Sequence, residues 1–167
     1  MNLLNRDMDM IERMESDLVQ KVQSAYQSVP DLHPNVHGVF SLDNLEAMLA
    51  TDLCQHIGVG IGYLETKPHR PPEQNTNAAR GSSGLMALFS YLIILAVPTE
   101  EACGTRHNAT KLLTLLRAGI QGSFVTDDAA NRAWTFVGEK PEISASTKDM
   151  LYYSQVWQIA LPIAGNP

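Results

Sequence analysis

Residues 85–97 read LMALFSYLIILAV, and ten residues at 56–65 read HIGVGIGYLE. Together they decide the fold. In the first stretch Leu85, Ala87, Phe89, Tyr91, Ile93 and Leu95 alternate with Met86, Leu88, Leu92, Ile94 and Ala96, so both sets are apolar. A strand that is apolar on both sides is expected in the middle of a sheet, covered on both faces. In the second stretch Ile57, Val59, Ile61 and Tyr63 share one face and Gly58, Gly60 and Gly62 the other. Three glycines in register predict close approach of another backbone or helix to that face.

Outward from this pair the periods change. Ile11, Met14, Leu18, Val19, Val22 and Tyr26 recur at helical spacing within residues 9–28, with Asp17 among the residues assigned to the polar side and Asp7 or Asp9 as cap. Pro30 and Pro34 end that helix. The stretch 31–40, DLHPNVHGVF, predicts a brief edge strand. Ser41 then caps a short helix over 42–53 built on Leu42, Leu45, Met48, Leu49 and Leu53. Pro98 stops the central strand, and Ala109, Leu112, Leu113, Leu116 and Ile120 define a helix from about His107 to Ile120, which Gly119 and Gly122 help to stop. WTFV at 134–137 and EISAS at 142–146 predict a short strand pair or one strand broken by Pro141. The alternation over 149–163 predicts a long closing strand. The order is that of an α+β single domain with a mostly antiparallel sheet flanked by helices.

Composition narrows the function. The chain has 167 residues, 44% hydrophobic and 18% charged, which suits one core and excludes wholesale disorder. Its net charge of −6 provides no basic field for gathering nucleic acid. The start, MNLLNRDMDM, has acidic residues where a signal peptide needs a positive region, so export by that route is not expected. The longest apolar run is shorter than the ~18–20 residues of a membrane-crossing helix.

No segment carries a recognised catalytic pattern. GVGIG lies inside a strand, whereas a phosphate loop needs its glycines between strand and helix. His33 and His37 have helical ligand spacing, but Pro34 breaks that helix, and no metal or cofactor is expected. Ser82 and Ser83 lack a nucleophile elbow. Cys54 and Cys103 match no zinc or redox spacing and read as reduced core thiols. Cys103 with His107 at a helix start is the nearest approach to a reactive thiol, and Glu100 and Glu101 oppose it. The aromatic group Trp134, Tyr152, Tyr153 and Trp157 reads as core.

The ordered set resembles the tail terminators of long-tailed phages, specifically small tail proteins of Mu-like phages. The segments that carry the likeness are MIERMESDLVQKVQSAY, LEAMLATDLCQHIGVGIGYLE, LMALFSYLIILAV, ATKLLTLLRAGI and YYSQVWQIALPI. The resemblance implies a structural virion protein, not an enzyme. It would form a homo-oligomeric ring, expected to be a hexamer, on the head-proximal end of the tail. That ring would cap the tail tube, stop its elongation and meet a sheath, head-completion or connector protein, with DNA free to pass through. A head-to-tail neck adaptor is the nearest alternative, and a small enzyme or ligand-binding module at Cys103 and His107 the alternative from another class.

Between the two strands lies TKPHRPPEQNTNAARGSSG, residues 66–84. Loops beyond ~12–15 residues are usually functional or disordered. This one is basic within an acidic chain, and for a ring subunit it is expected to act as an arm, with Lys67, His69, Arg70 and Arg80 as partner-binding residues.

Overall fold

The computed structural model describes residues 3–28, 35–39, 57–69, 86–99, 105–126, 132–142 and 150–162. The helix expected over 42–53, both cysteines, His33, Ser82, Ser83, Arg70, Arg80 and the EISAS segment beyond Glu142 lie outside the described residues. Five strands and two helices are described: α1 (Leu3–Tyr26), β1 (Asn35–Val39), β2 (Gly58–His69), β3 (Met86–Pro98), α2 (Thr105–Ile120), β4 (Thr135–Pro141) and β5 (Met150–Pro162). The sheet order is β1-β2-β3-β5-β4. All pairings are antiparallel except β1 with β2. The α+β class and the central place of the 85–97 strand are thus as read.

One face of the sheet meets both helices. Val59 and Ile61 of β2, with Phe89, Tyr91, Ile93 and Leu95 of β3, join Met14, Leu18, Val22 and Tyr26 of α1 in one buried cluster. Ala109, Leu112, Leu113, Leu116 and Ile120 of α2 complete it. The helical stripes therefore lie where their spacing put them. The opposite face of β3 departs from the expectation of full cover. Ser90 and Ala96 are buried there, but Met86, Leu88, Leu92 and Ile94 are half-buried. The glycines of β2 belong to this second face, paired with Ala96, Ile94 and Leu92.

Three boundaries are corrected. α1 begins at Leu3, so Asp7 and Asp9 lie within it rather than at its cap. β4 runs on past WTFV to end at Pro141, where the break was expected, and a strand over EISAS lies outside the described residues. The N–H of Glu142 donates to the Tyr152 carbonyl at 2.8 Å, so alternation turns the donor-less nitrogen of Pro141 away from β5. β2 runs four residues past the predicted end, to His69, so Thr66–His69 pair with β3 instead of opening the loop. Pro68 is tolerated because β1 covers only Gly58–Gly62, leaving the rest of β2 as the rim of the sheet.

Gly119 also has a different reason from the one its position suggested. It lies inside α2, and a Cβ there would come 2.9 Å from the Cβ of Ala25, so the glycine permits close crossing of α1 and α2. Gly122 performs the stop: its φ is 74° and its N–H donates to the Trp134 carbonyl at 2.9 Å.

Candidate functional site

Two carboxylates are buried with α1. Asp17, placed by the periodic reading on the polar side, is 5% exposed. Its Oδ2 accepts from Trp134 Nε1 at 2.8 Å and its Oδ1 from the Thr126 N–H at 2.9 Å, with Lys21 Nζ 3.7 Å away. Trp134 in turn packs edge-on against Tyr91, whose hydroxyl donates to the Ile11 carbonyl at 3.0 Å. These bonds tie α1 to β3 and to the segment that leads into β4.

Glu15 is the other. It is buried and its Oε2 has no hydrogen-bond partner. Burial first, and the neighbouring Glu12 carboxylate second, push its pKa up to about 7. The folded protein therefore holds this proton more tightly than the unfolded chain does, and stability falls as pH rises from the ordinary carboxylate range through about 7. Glu15→Gln is expected to raise the melting midpoint more at pH 8 than at pH 5. A calorimetric series across that range checks it, and equal gains at both pH values would contradict it.

A second hub centres on Gln155, which the alternation reading passed over. It is fully buried; its Nε2 donates to the Leu113 carbonyl at 3.1 Å and to Glu139 Oε2 at 2.7 Å, and its Oε1 accepts from Trp157 Nε1 at 3.2 Å. The arrangement ties α2, β4 and β5 together. Trp134 and Trp157 are both fully buried, as the core reading of the aromatic group requires.

Described residues also line two surface grooves. One, of about 390 Å³, lies where α1 and α2 cross, lined by Gln20, Lys21, Ser24, Ala25, Gly119 and Thr126. The other, of about 500 Å³, is lined by Thr114, Arg117, Ala118, Gln121 and Phe136. Their charged residues, Lys21 and Arg117, face Asp17 and Glu139 respectively. Among the described residues no group of three or more His, Cys, Asp or Glu side chains is placed to hold a metal, and no helix is long and apolar enough to cross a membrane.

Of the four residues expected to bind a partner, the structure describes two. Lys67 and His69 are on β2, facing Leu88 and Met86, and so share the half-buried face of the sheet. The Lys67 side chain is 59% exposed and ion-paired with Glu65. Near them Leu64 is exposed at the bulge of β2, and at the far side of the sheet Val137 is exposed at the bulge of β4. His37 belongs to β1, which excludes the helical ligand spacing with His33.

Among the described residues these features define an α+β protein whose Asp17 and Gln155 serve its packing, with a second buried cluster of Ala96, Met150 and Tyr152 on the other face of the sheet. No family profile matches the chain, and no curated protein matches it. Among solved structures it is similar to a chain described as the virion of native gene transfer agent particle, at 10% identity and a TM-score of 0.50. The likeness covers 89% of this chain and 93% of that one, and it is a likeness of fold.

Proposed function

We propose that this chain is a structural virion protein: a tail terminator whose ring, of six copies, caps the tail tube, stops its growth and joins it to the head connector. The observation that carries the reading is the fold shared over nearly the full length with a chain from a virion. It agrees with the resemblance of element order to phage tail terminators. The arm in this reading comprises the outer end of β2, with Lys67 and His69, and residues 70–84 with Arg70 and Arg80.

Complementation of a phage lacking the gene tests this. Without the protein, tail tubes of uncontrolled length are expected in micrographs, and the wild-type gene should restore both tail length and titre. Tails of normal length that fail to join heads would instead identify a neck adaptor. Changing Lys67, Arg70 and Arg80 together to Ala should leave melting unchanged and weaken attachment to tubes, more at low salt than at high. Above 0.1 M salt the attraction is screened within ~10 Å. Undiminished attachment at low salt would remove these residues from the interface.

A further inference from the structure

The pairing registers place the two outermost strands at the same height. One row across the sheet reads Val36, Val59, Leu95, Tyr153, Pro141; the next reads His37, Gly60, Ile94, Ser154, Lys140. A third reads Val39, Gly62, Leu92, Val156, Gly138. β1 thus occupies the same rows as Gly138–Pro141 of β4. Directions follow from the pairings: β1 runs with β2, against β3, with β5 and against β4. Among the described residues neither strand has a further strand beside it, and on β4 the Phe136 N–H donates to Gln121 Oε1 at 2.7 Å, short of the Gly138–Pro141 stretch.

The open side of β4 is bracketed. Pro141 has no N–H to offer there, and the bulge at Val137 interrupts the other end, so Glu139 presents the regular outward N–H and C=O between them. β1 is five residues long, a match to that short stretch. Val137, 52% exposed, stands beside it.

We propose that the ring closes by antiparallel pairing of the outer rim of β4 with the outer rim of β1 of the next copy, so that the sheet runs on from subunit to subunit. A head-to-tail contact closes when its operation is a rotation, and winds into a filament when it also shifts along the axis. Two rims at equal height and of opposite direction let a second copy extend the sheet with no shift along the strands. The occupant is therefore this same chain, and both halves of the contact are present on every copy. This deepens the ring reading and rests on it.

Cross-linking tests the seam. Continued across it, the rows bring His37 opposite Lys140. Facing residues of an antiparallel pair have Cα atoms ~4.5–5.5 Å apart, within the ~4.4–6.8 Å that a disulfide spans. The full chain carrying Cys54→Ser and Cys103→Ser, with His37→Cys and Lys140→Cys, should give under mild oxidation a ladder of covalent multimers ending at the ring. Each single-cysteine variant should stay monomeric on a non-reducing gel. Val39→Cys with Gly138→Cys provides a second pair, since an added Cβ at Gly138 meets nothing within 4 Å. Rings seen by mass measurement with no ladder from either pair would overturn the seam and leave the virion reading standing. Ladders from a protein that fails to complement the phage would support the seam and sink that reading. A chain that stays monomeric at high concentration, with no ladder, overturns the seam together with the ring.

Discussion

Ile93→Asp is expected to yield no cooperatively folded protein. Ile93 is 1% exposed in the middle strand, between Ile61 of β2 and Gln155 of β5. A carboxylate there enters the buried core cluster between Ile61 and Gln155, whose amide already donates to Leu113 and Glu139. Losing the isoleucine side chain costs ~2–5 kcal/mol. Burying an unpaired polar or charged group adds several more, against a total stability of ~5–15 kcal/mol. Ile93→Val, by contrast, should cost only ~0.5–1.5 kcal/mol and melt normally. Soluble yield and thermal melting followed by circular dichroism check both. A cooperatively melting Ile93→Asp protein would mean that this face of β3 admits water.

The elements that could be read from sequence are those whose burial repeats with a period. The α1 stripe from Ile11 to Tyr26, the five inward positions of α2 and the two-residue alternation of β2 and β5 each average over many residues, so one polar exception does not disturb them. Asp17 is such an exception. Its burial depends on Trp134 and Thr126, over a hundred residues away, and nothing in the helix itself signals that a carboxylate will find two donors there. Gln155 is the strand counterpart, held by Leu113 and Glu139 from other elements. Gly119 was read from the helix-ending habit of glycine, whereas the close approach of Ala25 explains its place.

The end of β2 was misplaced for a related reason. Lys67 and Pro68 carry loop chemistry, and strand propensity supports only Thr66 of the three. They are strand because β3 begins at Met86 and its first residues take Thr66–His69 as partners on one side only. A rim position satisfies backbone groups on one side and leaves side chains wet, so polar residues and a proline fit there. The same logic bears on the candidate interface. The outer strands β1 and β4 are short, β4 carries one bulge and ends at Pro141, and their equal height follows from registers that no local pattern encodes.

Asp17→Ala should be the most damaging substitution outside the apolar core. It removes the acceptor from two donors at once, Trp134 Nε1 and the Thr126 N–H. Hydrogen bonds to charged groups contribute ~1.5–3 kcal/mol each, and breaking a buried charged network by removing one member costs ~3–5 kcal/mol. Asp17→Asn should not rescue it, because the two donors bind different oxygens, and in the amide one of those positions becomes an N–H₂ that faces a donor. The check is a urea midpoint measured at constant slope, which separates a stability change from a change in the unfolded state. Trp134→Phe keeps most of the aromatic packing against Tyr91 but deletes the indole donor, so it isolates the shared bond. Because each single change removes the same Asp17–Trp134 contact, the double variant Asp17→Ala/Trp134→Phe should lose less than the sum of the two, with a coupling of ~0.5–3 kcal/mol. Additive losses would mean that Asp17 holds α1 through Thr126 alone, leaving Trp134 to contribute by packing.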